Sequence, residues 1–223
     1  MKIKGKIINF LGDSITEGHS VIDRTHNRYD NVMKKKYHLK KVNNYGIGGT
    51  RFAYQSKPSE NPRYDLYFCG RAQKMDRNCD IVVVYGGVND YAHGDAPIGT
   101  PEDTTPSTFY GAVEWLMNYL TEEYAGKTIV FLTPAHRTGA YPETLPSPKP
   151  MKLADALPLK DYGDIIKEKA KKYNIPVLDM MEKLPIDPNI PEDCEKYTED
   201  GLHFNDEGHK IIAKTVGDFL LSL

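Results

Sequence analysis

The chain has 223 residues, with 29 Lys and Arg against 31 Asp and Glu and a formal net charge of -2. That length supports one well-buried core, and α/β folds of this size usually form one domain, so residues 1–223 are expected to make a single domain. Balanced charge and a pI near 6.4 exclude the basic footprint of a nucleic-acid binder, and no apolar run approaches the roughly 18 residues of a membrane span.

From the N-terminus, Lys2 to Lys6 lead at once into the apolar run Ile7-Ile8-Asn9-Phe10-Leu11. No separate apolar h-region or small-residue cleavage site precedes it, so the chain reads as cytoplasmic. The strand ends at Gly12-Asp13-Ser14-Ile15-Thr16, which puts a serine hydroxyl where a strand gives way to a turn. Lys34-Lys35-Lys36 lies in a helical stretch and is expected to be a solvated face. A weaker strand, Lys40 to Asn44, runs into the glycine cluster Asn44-Tyr45-Gly46-Ile47-Gly48-Gly49-Thr50. Ile81 to Tyr85 is the strongest strand, followed by Gly86-Gly87-Val88-Asn89-Asp90. Ser107 is the expected N-cap of a helix carrying Phe109, Val113, Leu116, Met117 and Leu120 on one side, with Gly126 at its end. Thr128 to Thr133 and Pro176 to Asp179 supply further strands. Between them Leu159, Tyr162, Ile165, Ile166, Ala170 and Tyr173 recur at helical steps. The last helix starts near Asn205 and carries Ile211, Ile212, Val216, Phe219 and Leu220, just after Asp200-Gly201-Leu202-His203.

Short apolar strands alternating with amphipathic helices imply an α/β sandwich with a parallel sheet and right-handed crossovers. There is no internal repeat. Two irregular stretches, Ala53 to Asp65 and the proline-dense Pro134 to Pro158, read as functional loops or as oligomer contacts. Cys69, Cys79 and Cys194 are odd in number and without metal-like spacing, as for free, partly buried thiols of a reducing compartment.

Each motif taken singly has an ordinary structural reading: Ser14 as a helix cap, the glycine cluster as a turn, Asn89 as a cap, His203 as a surface residue. The serine motif lacks the second glycine of G-x-S-x-G, since position 16 is Thr, and the glycine cluster lacks dinucleotide or P-loop spacing. Taken together, a serine, an imidazole and a carboxylate three residues before that imidazole are the minimum for covalent acyl transfer. Of the other histidines, His19, His26, His38 and His136 compete for the role of base, His93 is a pocket candidate, and His209 is expected to be a solvated helix residue.

In order and spacing these four phrases resemble the blocks of the SGNH (GDSL-type) hydrolase superfamily, from residue 7 to about residue 220. The resemblance implies a flavodoxin-like α/β/α sandwich. It implies Ser14 as nucleophile, His203 as base and Asp200 as its partner, with an oxyanion hole from the Ser14 and Gly49 N–H groups and the Asn89 side chain. It also implies ester hydrolysis without metal or organic cofactor. Many relatives carry Asp or Asn after the glycine-block Gly, where this chain has Thr50 and then Arg51, a cation near the pocket. Phe204 stands where relatives often have Pro.

Asp13, Arg51, Tyr91 and His93 are read as candidate substrate contacts. No long apolar lid is visible, and Tyr45, Tyr54, Tyr91 and Tyr141 suit sugar rings as well as core edges or subunit contacts. The expected substrate is therefore a short-chain ester, acetyl first, on a carbohydrate or other small molecule; Arg51 would favour a carboxylate. Two other classes stay open from sequence. One is a metal-dependent phosphoesterase built on Asp13, Asp90, Asp200 and His203. The other is a non-catalytic carbohydrate-binding protein on the same fold.

Overall fold

A computed structural model of the protein describes residues 1–138 and 157–223. Five strands, β1 (Ile7–Gly12), β2 (Lys41–Gly46), β3 (Ile81–Tyr85), β4 (Thr128–Leu132) and β5 (Val177–Leu178), pair in parallel in the order β2-β1-β3-β4-β5. Helices α1 (Ser14–Glu17), α2 (Arg24–Asn27), α3 (Tyr29–Lys36), α4 (Phe68–Ala72) and α5 (Val88–His93) belong to the first half. The second half carries α6 (Phe109–Glu123), α7 (Leu159–Tyr173), α8 (Met180–Lys183), α9 (Pro191–Tyr197) and α10 (Asp206–Ser222).

The central strands alternate strictly between two cores, because successive side chains leave opposite faces of a strand. Leu11, Val82, Val84, Ile129 and Phe131 join α4, α6 and α7 on one face. Ile8, Phe10, Ile81, Val83, Val130 and Leu132 join α3 and α10 on the other. Burying both faces is why these runs read as continuously apolar. The expected α/β sandwich with a parallel sheet is the observed fold.

Strand order reverses between β1 and β3, and open parallel sheets bind ligands at the carboxyl ends of strands flanking such a point. Gly12 lies level with Gly46 on one side and with Tyr85 on the other. The loops after β1, β2 and β3 therefore leave the sheet side by side. Arg71 of α4 ties these ends together: its guanidinium donates to Gly12 O at 3.1 Å, to Thr50 Oγ1 at 2.8 Å and to Tyr45 O. Gly46 is packed so tightly that an added Cβ would lie 2.2 Å from Glu17 N, so β2 and α1 meet backbone to backbone.

Several local expectations are corrected. The cap of α6 is Thr108, whose side chain accepts from Gly111 N, and not Ser107, which bonds Thr105 instead. β5 is shorter than Pro176 to Asp179 because the Asp179 carboxylate turns to accept from Met181 and Glu182 N–H and starts α8. His209 is fully buried, not solvated: Nδ1 accepts from Tyr29 N at 3.1 Å and the ring stacks on Tyr29. Burial pushes that imidazole down to about 3, so it is a neutral packing element between α10 and α3. The stretch Ala53 to Asp65 contains a 3-10 turn, Pro62–Asp65. Lys34, Lys35 and Lys36 are exposed as expected, and all three cysteines are free, with Cys69 and Cys79 buried. Tyr141 and the prolines at 142, 146, 148 and 150 lie outside the described residues.

Candidate active site

Ser14 opens α1 directly after β1. Asp13 caps that helix, its Oδ1 accepting from Ile15 N at 3.0 Å, and Gly18 closes it in the left-handed conformation. A four-residue helix held at both ends leaves the serine little freedom. Its Oγ lies 3.0 Å from His203 Nε2. On the other side of the ring, His203 Nδ1 lies 2.7 Å from Asp200 Oδ2.

The Asp200–His203 turn is held by its own backbone. Asp200 Oδ1 accepts from Leu202 N at 3.0 Å and His203 N at 2.7 Å. Gly201 takes a positive φ of 76°, which a side chain would resist, and its carbonyl accepts from Thr138 N at 2.9 Å. One carboxylate thus shapes the turn with one oxygen and faces the ring with the other. Burial works to raise the Asp200 carboxyl, but the His203 N–H, its ring and Leu202 N–H outweigh that and hold it below the usual range. His203 is shifted down, by burial first, with Asp200 opposing and His19 and Arg137 adding to the shift. A neutral ring whose Nδ1–H donates to Asp200 presents the Nε2 lone pair to Ser14.

Gly48 and Gly49 follow β2. A Cβ on Gly48 would sit 3.5 Å from Ser14 Cβ, so this backbone runs beside the serine. Gly48 N donates to Glu17 Oε2 at 2.7 Å, which anchors the loop to α1. Gly49 has φ 74° and lies against the Tyr64 ring, leaving no room for a side chain. Asn89, in the first turn of α5, donates from Nδ2 to Thr50 O at 2.9 Å. Gly87, two residues earlier, takes φ 106° to make that turn.

The four candidate substrate contacts are all engaged within the protein. Asp13 is 1% exposed and serves as the α1 cap; burial pushes its carboxyl up to about 7. Arg51 is 2% exposed and faces His93 and Tyr64 O, so it is not a cation open to the surface. Tyr91 is buried in the core against Tyr162. His93 is half-buried between Arg51 and Asn89. Asp90 turns its carboxylate onto Phe52 N and Ala53 N, both at 3.0 Å, and burial raises it to about 6. Two further residues lie beside the site. His19 packs against His203 with ring centroids 4.3 Å apart and the planes tilted by 55°, because the Gly18 cap folds it back over the site. Arg71 was legible as the one charged residue in Phe68-Cys69-Gly70-Arg71-Ala72. Among the described residues, no three His, Cys, Asp or Glu side chains are placed to hold a metal ion, and no helix is long and apolar enough to cross a membrane.

A serine hydroxyl, an imidazole and a carboxylate in line at the switch point of a parallel α/β sheet define the class of acyl-transfer hydrolases. The sequence profile of the GDSL-like lipase/acylhydrolase family matches residues 10–211, and the chain belongs to that family, as an esterase. Among solved structures, a protein from Lactobacillus plantarum is 26% identical, with TM-score 0.81 over 99% of this chain and 98% of its own. The acetyl xylan esterase AlAXEase is 20% identical with TM-score 0.61, over 95% of this chain and 98% of its own. A carbohydrate acetylesterase family member from Sinorhizobium meliloti is 16% identical with TM-score 0.62, over 97% and 98%. A comparison with curated proteins gave no match.

Proposed function

We propose that this esterase hydrolyses short-chain acyl esters, acetyl esters of carbohydrates or other small alcohols first among them, through a Ser14–His203–Asp200 triad in one domain. The observation that carries the reading is the 3.0 Å contact between Ser14 Oγ and His203 Nε2, backed by Asp200 at 2.7 Å. In the first half-reaction Ser14 Oγ attacks the ester carbonyl while Nε2 takes its proton. The carbonyl oxygen gains the negative charge and is met by the Ser14 and Gly49 N–H groups and by Asn89 Nδ2. The tetrahedral adduct collapses, the C–O bond to the alcohol breaks, and His203 returns the proton to the leaving oxygen. Water then repeats the sequence on the acyl-serine, releasing the acid. Asp200 stabilises the imidazolium formed twice per cycle.

The short acyl preference is supported by the acetyl group in the printed names of the acetyl xylan esterase and carbohydrate acetylesterase structures above. The carbohydrate preference is supported by the printed names of the acetyl xylan and carbohydrate acetylesterase structures above. The test is a series of p-nitrophenyl esters from acetyl to octanoyl, run beside acetylated oligosaccharides. A steep fall beyond butyryl is expected, since a site suited to short acyl groups penalises each added methylene it cannot seat. Octanoyl esters turned over faster than acetyl esters would refute the short-chain reading. Activity abolished by EDTA and untouched by a serine-directed fluorophosphonate would refute the serine mechanism.

The pH profile follows from the downward shift of His203. Only the neutral ring accepts the serine proton, so activity is full above the His203 pKa and lost as pH falls through it. Burial places that midpoint below the ordinary histidine value of about 6.5. A kcat/KM profile from pH 4 to 8 checks this; an acid limb centred above that ordinary value contradicts it.

A further inference from the structure

An asparagine amide donates usefully only if its two ends are held in one orientation. Its nitrogen and oxygen are nearly equal in size, so packing alone selects neither. At Asn89 two contacts make the selection. Nδ2 donates to Thr50 O at 2.9 Å, and Oδ1 faces His93 Nε2 at 3.0 Å. An amide oxygen only accepts, so Nε2 must carry a proton. Nδ1 of that ring lies 3.1 Å from an Arg51 Nη1 that can only donate, so Nδ1 must be the lone-pair side. Arg51 is fixed in its turn, Nη2 donating to Tyr64 O at 2.9 Å and reaching Asp65 Oδ1 at 3.4 Å. Each link from Asp65 through Arg51 and His93 to Asn89 therefore has one permitted polarity.

The helix geometry suits this role. Asn89 and His93 are four residues apart on α5 and share a face. Asp90, between them, clamps the backbone of Phe52 and Ala53, so the segment carrying Thr50 and Arg51 is latched to α5 through side chains and main chain together. Arg51 is almost fully buried, and its Nε has no partner among the described residues. Burying a guanidinium with an unmet donor is costly, and a residue needed only to fill space would not carry that cost.

We propose that Arg51 and His93 are positioning residues for ester hydrolysis, which lock the Asn89 amide with one Nδ2 N–H on Thr50 O and the other directed at the developing oxyanion. The lock rests on the oxyanion role given to Asn89 above and deepens it. Neither residue touches substrate; both act through Asn89.

The test is a double-mutant cycle on p-nitrophenyl acetate hydrolysis, with kcat and KM separated and the melting temperature of every variant measured. Asn89→Ala is expected to lower kcat by roughly 10²–10³-fold. His93→Phe, which keeps the ring and removes both nitrogens, is expected to lower kcat by roughly 10- to 100-fold, the cost of a misplaced group, with KM little changed. The double variant is expected to match Asn89→Ala to within about twofold, because nothing is left to position. His93→Gln keeps an N–H able to reach Oδ1 and is expected to restore most of the loss. A double variant whose loss is the product of the single losses, or His93→Phe with unchanged kcat, overturns the lock and leaves the oxyanion role standing. Wild-type kcat in Asn89→Ala overturns both. If His93→Phe does not fold, Arg51→Met takes its place in the cycle, with non-additivity supporting the lock and additivity overturning it.

Discussion

Ser14→Ala is expected to fold and to lose at least ~10⁴-fold in kcat, because removing the nucleophile leaves only binding and oxyanion stabilisation. The prediction is sharp because the two effects separate cleanly. Among the described residues Ser14 Oγ has one side-chain partner, His203 Nε2. Loss of one such hydrogen bond changes stability by ~1 kcal/mol, which shifts Tm by roughly 2–4 °C in a chain of this size. Alanine also suits the first turn of a helix. Activity and melting temperature measured on the same preparation decide the matter. A variant that turns over acetyl esters at the wild-type rate removes Ser14 from the mechanism. An inactive variant that no longer melts cooperatively would instead make the residue part of the fold.

The second large effect sets two replacements of Asp200 against each other. Asp200→Asn should be the more damaging, by roughly 10⁴-fold in kcat, the size expected for a ring held in the wrong tautomer. The reason lies in the turn. Oδ1 accepts from two backbone N–H groups, at 3.0 Å and 2.7 Å. An asparagine must keep its oxygen on those donors, so its NH₂ faces His203 Nδ1. A donor there forces Nδ1 to accept and moves the ring proton to Nε2, where it meets the serine hydroxyl. Asp200→Ala has no such bias. Its carboxylate side chain is 49% exposed, so water can occupy the gap and accept from Nδ1–H. Alanine should therefore retain at least about tenfold more activity than asparagine. Equal losses, or a more active asparagine variant, would show that Asp200 acts through charge alone.

How far the sequence carried this reading depends on how local each signal is. Strand and helix periodicities are local, and β1, β3, α6 and α7 match their apolar runs closely. The phrases at Ser14, Gly49, Asn89 and Asp200–His203 are also local, each being a turn set by a few residues, so all four were visible in the chain. β5 stops early because Asp179, at the end of its own segment, caps α8, a local competition between strand and helix start. His209 was decided from outside its helix: it is buried because Tyr29 of α3 packs on it. That partner cannot be inferred from the spacing of α10.

The same distinction governs the site. Residue types and the three-residue step from Asp200 to His203 are sequence properties, and they pointed to acyl transfer before any fold was in hand. Arg51 and His93, read along the chain, suggested groups offered to a substrate. Only tertiary structure could show them joined behind Asn89, since they are 42 positions apart in sequence and meet where α5 packs on the loop after β2. Likewise the 3.0 Å between Ser14 and His203 spans 189 positions. Sequence determines which groups can donate, accept or ionise; the parallel sheet, by bringing the ends of β1, β2 and β3 level, decides which of them share one corner of the fold.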